Sequence, residues 1–177
     1  PGLRPFQSDE EHLFFGRETQ TLELLQILRD NRFVGVIGTS GSGKSSLVRC
    51  GLLSELYGGS FLKAGTDWEV AVMNPGGGPF NQLSKSLVAS DIYDSEEADV
   101  HLKLNATLRR SRLGLVEAIR QAKLPEGTNF LLVVDQFEEI FRYSEAGEEE
   151  GEAADDFISM ILEAAKQSNI PIYVIIT

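Results

Sequence analysis

The chain has 177 residues, of which 42% are hydrophobic, which is enough for one α/β domain with a buried core. Its formal net charge of −11 argues against non-specific binding to nucleic acid through a basic face. The single cysteine, Cys50, excludes an internal disulfide, so we expect a reducing, cytoplasmic compartment. No stretch approaches the roughly 18 consecutive apolar residues of a membrane span.

Hydrophobic patterning predicts helices and strands that alternate along the chain. After a proline-interrupted segment and a short helix within residues 1–15, a helix is predicted at about 18–31, with Leu22, Leu25, Ile27 and Leu28 on its apolar face. Strands are predicted at 33–37, 68–73, 129–134 and 171–177, helices at 44–57, 80–89, 100–110, 112–123 and 153–167, and loops at 91–99 and 144–152. The alternation predicts an α/β fold with a parallel sheet and right-handed crossovers.

A glycine-rich turn joins the first predicted strand to the next helix and matches G-x-x-x-x-G-K-[ST] at every fixed position. We call it the first glycine turn, and with the next residue it comprises Gly38, Thr39, Ser40, Gly41, Ser42, Gly43, Lys44, Ser45 and Ser46. Gly38, Gly41 and Gly43 are expected to have positive φ, so that several N–H groups point at one phosphate chain. Lys44 is expected to reach the β- and γ-phosphates and Ser45 to bind Mg²⁺. A glycine-serine loop without a ligand is the alternative, and the strand before it and the helix after it argue against this alternative.

An acidic residue ends the apolar strand predicted at 129–134. The carboxylate of Asp135 is expected at the carboxyl edge of the sheet, on the same side as the first glycine turn. Because Mg²⁺ prefers oxygen ligands, Asp135 is a candidate partner of the metal, either directly or through its second sphere. A purely structural strand-end aspartate is the alternative.

Two further acids, Glu138 and Glu139, follow where the strand gives way to a helix. Either carboxylate could orient or deprotonate the water that attacks the γ-phosphate. The alternative is that both are first-turn acids that interact favourably with the helix dipole. The residue directly after Asp135 is Gln136, where many ATPases have Glu.

Two other features are given a structural interpretation. The second glycine turn, residues 74–79, contains three glycines between two prolines and lacks a following Lys-Ser/Thr, so it is predicted to join a strand to a helix without binding phosphate. Arg109, Arg110 and Arg112 form a basic cluster that is expected at a solvated helix end. An arginine that acts on a neighbouring molecule's phosphate is the alternative for this cluster.

Four stretches give the chain a family resemblance: PGLRPF, FFGRE, GTSGSGKSSLVRCGLL and LLVVDQFEEIF, in this order. Together they resemble the STAND class of P-loop NTPases, which are relatives of AAA+ and NACHT proteins, and the similarity is greatest to the first novel STAND family. That family consists mostly of multidomain prokaryotic proteins. The resemblance implies ATP or ADP with Mg²⁺ as cofactors, and self-association or fused sensor and effector domains as partners.

The resemblance also implies roles for individual residues. Phe15, Gly16 and Arg17 match the segment that lies beside the base and sugar of the nucleotide, and Asp135 matches the Walker B acid. The layout of residues 135–139 favours Glu139, and then Glu138, as the water-activating acid. Gln136 departs from the usual pattern, so fast hydrolysis is not expected.

The architecture implied is a three-layer P-loop NTPase with sheet order 2-3-4-1-5, of which this chain would hold 2-3-4-1 and be truncated before the fifth strand. Residues 1–177 would then be the N-terminal part of a STAND-type domain, with an N-terminal extension and first helix at 1–32 and the core at 33–177. The first residue is Pro rather than Met, so we expect a piece of a longer protein.

These features favour a nucleotide-dependent switch that binds Mg-ATP and hydrolyses it slowly. An interaction scaffold that holds ADP with little turnover is the main alternative. A small-molecule kinase is less favoured, because it requires an acceptor-binding lid. A GTPase is disfavoured because N-K-x-D is missing, and a transporter-type ATPase because L-S-G-G-Q is missing.

Overall fold

The computed structural model describes residues 16–57, 67–90, 92–93, 99–122 and 124–177. The short helix predicted within residues 1–15, the PGLRPF stretch and Phe15 lie outside the described residues.

Strands and helices alternate through the described part of the chain. The strands are β1 (Phe33–Gly35), β2 (Trp68–Met73), β3 (Asn129–Val134) and β4 (Ile172–Ile176). The helices are α1 (Glu18–Asp30), α2 (Lys44–Ser46), α3 (Leu53–Tyr57), α4 (Pro79–Ala89), α5 (Val100–Arg109), α6 (Gly114–Gln121), α7 (Glu139–Ser144) and α8 (Glu148–Lys166), and a π-helical segment, Leu47–Leu52, connects α2 to α3. Among these described helices none has the length and apolar character needed to cross a membrane.

The four strands form one parallel sheet in the order β1-β4-β3-β2, which is the order 2-3-4-1 when it is read from the β2 edge. In the register between β3 and β4, Val134 lies opposite Ile176. The residues that follow the two strands, Asp135 and Thr177, are therefore also neighbours. Since all strands run in one direction, the turns that follow β1, β2 and β3 lie at the same carboxyl edge of the sheet.

Helices cover both faces of the sheet, which gives three layers. The side chains of β3 alternate between the two faces, and all five residues from Phe130 to Val134 are at most 1% exposed. Phe130, Leu132 and Val134 pack in a core with residues of α4 to α8. Leu131 and Val133 pack on the other face against α1 and the helical segments that follow β1. The prediction of a strand buried on both faces is confirmed.

The apolar face predicted for α1 is partly wrong. Leu22 and Ile27 are 54% and 40% exposed, and the buried face contains Thr21, Leu24, Leu25 and Leu28. Because Thr21 is polar, the hydrophobic spacing of the sequence does not indicate that this residue lies on the buried face. A side-chain Cβ added at Gly51 would lie 2.4 Å from the Thr21 hydroxyl oxygen, so α1 and the π-helical segment approach closely at this point.

Further differences from the predictions concern β1, the helix predicted at 44–57 and α8. β1 ends at Gly35 instead of residue 37, although the N–H of Val36 still donates to the carbonyl of Ile176. The helix predicted at 44–57 contains the π-helical segment, which periodicity does not indicate. α8 begins at Glu148, so residues 148–152 are helical rather than part of a loop. The acidic residues of this first turn interact favourably with the helix dipole.

Candidate functional site

The first glycine turn lies between β1 and α2, at the carboxyl edge of the sheet. Gly41 and Gly43 have φ values of +76° and +86°, as predicted. The prediction of positive φ is wrong for Gly38, which is not among the residues with positive φ. An added Cβ at Gly38 would lie 2.7 Å from Ser42 Oγ and 3.7 Å from the Lys44 side chain, so the Ser42 side chain would have to move. Thr39 and Ser40 at the tip of the turn are exposed, and Ser46 is buried.

The Lys44 side chain folds back over this turn. Its Nζ donates to the carbonyl oxygens of Gly38 and Thr39, at 3.1 and 3.4 Å. The ammonium group therefore lies against the same backbone that the motif predicts around a phosphate. Gly43 is the residue before α2, and its carbonyl accepts the N–H of Leu47 at 2.8 Å.

The first glycine turn and the end of β3 are joined by a short hydrogen bond. Ser45 Oγ donates to Asp135 Oδ1 at 2.6 Å, although the two residues are 90 positions apart in the sequence. The expected proximity of Ser45 and Asp135 is thus found in the structure. Asp135 is only 2% exposed, so this contact takes place in a nearly dry environment.

Two further partners of Asp135 were missed in the sequence. Arg49 donates from Nε and from a terminal nitrogen to Asp135 Oδ2, at 3.1 and 2.9 Å. Thr177 Oγ1 donates to Oδ1 at 2.6 Å, and the N–H of Gln136 donates to the same oxygen at 3.1 Å. Arg49 could have been found, because it follows Ser45 by four residues and so lies on the same helix face. Thr177 has no such local signal.

These partners decide the ionisation of Asp135. Burial alone raises the pKa of the carboxyl group. The hydrogen bonds from Ser45 and Thr177, together with the charge and hydrogen bonds of Arg49, outweigh this effect and hold the pKa of Asp135 below its ordinary value. The group is therefore a carboxylate, and it serves only as an acceptor.

The segment before α1 also contacts the first glycine turn. A terminal nitrogen of Arg17 donates to the carbonyl oxygen of Ser42 at 3.1 Å. Gly16 has a φ of +81°, and its N–H donates to Glu18 Oε1 at 3.0 Å. Of the three residues expected beside the base and sugar, Arg17 thus lies against the turn and Gly16 directly precedes Arg17 in the sequence. The third, Phe15, is outside the described residues.

The candidate water-activating acids differ in their surroundings. Glu139 Oε2 accepts the N–H of Gly76 at 3.2 Å, so its carboxylate is held by the second glycine turn. Glu138 directly precedes α7 and is exposed. Gln136 has a φ of +56°, and its side-chain oxygen accepts from Asn74 Nδ2 at 2.7 Å. The second glycine turn therefore contacts the segment after Asp135 at two points.

The arginine cluster around residue 110 is engaged locally. The Arg109 guanidinium lies 4.7 Å from the ring centroid of Phe80, and its Nε donates to Asn105. Arg110 lies 3.7 Å from a carboxylate oxygen of Glu117. These contacts match the structural interpretation of the cluster at a helix end.

The residues around Asp135 fit a hard divalent cation. Because the Ser45 hydroxyl donates a hydrogen bond to Asp135, the lone pairs of its oxygen remain available for Mg²⁺. The Asp135 carboxylate lies behind this hydroxyl and already accepts hydrogen bonds at both oxygens. In the described part of the chain no cluster of three or more His, Cys, Asp or Glu side chains could hold a metal by itself. A Mg²⁺ ion at this site would be held by the Ser45 hydroxyl oxygen, with Asp135 behind it.

The fold and the site show what kind of protein this is. It is an α/β protein with a parallel sheet, and its glycine turn, lysine and strand-end carboxylate lie at the carboxyl edge of that sheet. The chain matches the family model of Novel STAND NTPase 1 over residues 1–177. It belongs to this family, as the sequence motifs predicted. No curated protein and no solved structure matches the chain.

Proposed function

We propose that the chain binds Mg-ATP at the first glycine turn and acts as a nucleotide-dependent switch with slow hydrolysis. One observation carries this proposal above all others: the hydrogen bond of 2.6 Å between Ser45 and Asp135, which joins the glycine turn to the strand-end acid. Membership of an NTPase family supports the same conclusion.

In this proposal the residues of the first glycine turn, from Gly38 to Ser46, surround the phosphates. Their N–H groups and the positive end of the following helical run attract the anion. Lys44 would exchange its two carbonyl partners for the β- and γ-phosphates. Arg17, Gly16 and Phe15 would lie beside the base and the sugar.

Ser45 would bind Mg²⁺ through its hydroxyl oxygen, with Asp135 as the acceptor that orients the hydroxyl group. When bound, Mg²⁺ would neutralise the charge that develops on the phosphate oxygens during hydrolysis. Glu139 is the first candidate for holding the attacking water, and Glu138 is the second. The proposal includes slow turnover, because Gln136 replaces the acid that many ATPases have after the Walker B aspartate.

Isothermal titration with Mg-ATP tests the binding site. Lys44→Ala should weaken binding by about 10- to 100-fold, since a charge-assisted contact to phosphate is lost. Lys85→Ala is the matched control, because Lys85 is an exposed lysine of α4, the helix that follows the second glycine turn. The control should bind as the unaltered chain does. Equal affinities for Mg-ATP in all three proteins would contradict the proposal.

The ADP-holding scaffold is the second candidate, and the surroundings of Glu139 and Gln136 favour it. Both side chains already accept a hydrogen bond from the second glycine turn. Denaturing the purified chain and identifying any released nucleotide separates the two candidates. Stoichiometric ADP together with no measurable phosphate release from added ATP would favour the scaffold over the switch. In either case we propose that the nucleotide state controls self-association or domains fused to this one.

A further inference from the structure

The Asp135 carboxylate is saturated with hydrogen-bond donors from its own chain. Oδ1 accepts from Ser45, Thr177 and the N–H of Gln136. Oδ2 accepts two N–H groups of the Arg49 guanidinium. A carboxylate has about four lone-pair sites, so five donors leave none for a metal ion. A cation that binds Asp135 directly must therefore displace one of these donors.

Arg49 differs from the other donors because it carries a full charge. Its side chain is 25% exposed, whereas that of Asp135 is 3% exposed, so the ion pair lies at the inner wall of the site. The planar guanidinium group meets Asp135 Oδ2 with two N–H groups, so the geometry of the ion pair is well defined. The local charge that a free Mg²⁺ ion would encounter at Asp135 is close to zero.

We propose that Arg49 is a built-in counter-ion of Asp135, which prevents a divalent cation from binding at Ser45 and Asp135 in the absence of nucleotide. The inference rests on the proposed function of the same site. Mg²⁺ gives up its water reluctantly and needs negatively charged oxygens in return. With Asp135 neutralised by Arg49, only the phosphates of the nucleotide supply that charge, so metal and nucleotide bind together. Arg49 thus affects metal binding only through its ion pair with Asp135.

Mn²⁺ without nucleotide is the probe, and the free ion is measured by electron paramagnetic resonance during titration of the purified chain. The unaltered chain should bind Mn²⁺ too weakly to detect at millimolar concentration. Arg49→Met keeps most of the apolar stem and removes the charge, so it should bind Mn²⁺ at least about 10-fold more tightly. Arg120→Met is the matched control, because it removes an exposed arginine of α6 and should behave as the unaltered chain does.

Two more variants separate this effect from a general loss of structure. Asp135→Asn combined with Arg49→Met should abolish the gained Mn²⁺ binding, because the carboxylate charge is lost. Arg49→Lys retains the charge but loses the two-pronged contact, and it should still exclude Mn²⁺. Circular dichroism of each variant reports whether it is folded.

The proposal is overturned if Arg49→Met and the unaltered chain have equal Mn²⁺ affinity, or if Arg49→Lys gains affinity. It is also overturned if the unaltered chain binds Mn²⁺ without nucleotide and Asp135→Asn removes this binding, a comparison that needs no Arg49 variant. Since no nucleotide is present in these titrations, their failure leaves the Mg-ATP proposal intact. The Lys44→Ala titration contains nucleotide, so it tests the Mg-ATP proposal independently of the Mn²⁺ measurements.

Discussion

Two glycine-rich turns lie at the carboxyl edge of the same sheet, and the residues around them give them different chemistry. The first follows β1 and continues into a helix through Lys44 and Ser45. The second follows β2 and continues into α4, whose first residue is Pro79. Both turns contain glycines with positive φ, at Gly41 and Gly43 in the first and at Gly76 and Gly78 in the second. A glycine-rich backbone at a helix start is therefore not sufficient to identify a phosphate site.

What differs is the set of donors and the partner at the end of β3. Pro75 and Pro79 have no N–H group, so the second turn offers fewer donors to an anion. The first turn is hydrogen-bonded to Asp135 through Ser45, whereas the second is hydrogen-bonded to Gln136 and Glu139. We infer that the two turns have different roles: the first binds the nucleotide, and the second holds the segment that follows Asp135.

The largest expected effect is on the rate of ATP hydrolysis, and it tests Glu139, the acid that the second glycine turn holds. Glu139→Gln should lower the rate of ATP hydrolysis by roughly 10²- to 10⁴-fold, the usual range for loss of a general base, with Mg-ATP affinity unchanged. Glutamine retains an oxygen that accepts the N–H of Gly76, so the fold is preserved. Glu138→Gln is the comparison variant. If Glu139 is the base, this variant should keep the rate within about 2-fold, because the loss of a general base would lower the rate far more than this. A larger loss of rate in Glu138→Gln than in Glu139→Gln would contradict the assignment.

The second effect concerns stability and compares one polar partner from each turn. Asp135→Asn should lower the free energy of unfolding by about 3 kcal/mol, because it leaves the charge of Arg49 without its buried partner. Asn74→Ala removes only the solvent-accessible hydrogen bond to Gln136, and it should cost at most about 0.5 kcal/mol. Urea denaturation of both variants measures the difference. Equal losses would show that the cluster around Asp135 is no more strongly coupled to the fold than the second turn.

The smallest effect concerns the backbone of the two turns. Gly43→Ala should destabilise the chain by about 1 kcal/mol, since alanine disfavours a left-handed conformation. The added methyl group itself meets no atom within 4 Å at this position. Gly77→Ala in the second turn has equal space but no positive φ, and it should stay within about 0.5 kcal/mol of the unaltered chain. If both substitutions have the same effect on the urea midpoint, positive φ is not what requires glycine at residue 43.

Local features of the site could be predicted from the sequence, and contacts between distant residues could not. The first glycine turn and Asp135 each follow an apolar strand, and this context is readable along the chain. The order of the adjacent strands β1, β4 and β3 was predicted from the family resemblance. The position of Asp135 on the same side as the first glycine turn was predicted from its place at the end of a strand. In the structure Asp135 accepts a direct hydrogen bond from Ser45.

The features that were missed have physical reasons. Thr177 meets Asp135 only because β4 pairs with β3, and no local pattern marks a threonine at a strand end as a carboxylate partner. The π-helical segment keeps the same hydrophobic spacing that an ordinary helix would show over so few residues. The motif alone does not indicate that Gly38 lacks a positive φ, nor that a Cβ there would meet the Ser42 side chain.

The most direct test of the account compares the backbone amides of the two turns when Mg-ADP is added to the ¹⁵N-labelled chain. Large chemical-shift changes are expected for the amides of residues 39–46, where the phosphates would accept hydrogen bonds from the N–H groups. Much smaller changes are expected for Gly76, Gly77 and Gly78 in the second turn. Changes of equal size at both turns, or changes confined to the second turn, would contradict the claim that the first glycine turn is the nucleotide site.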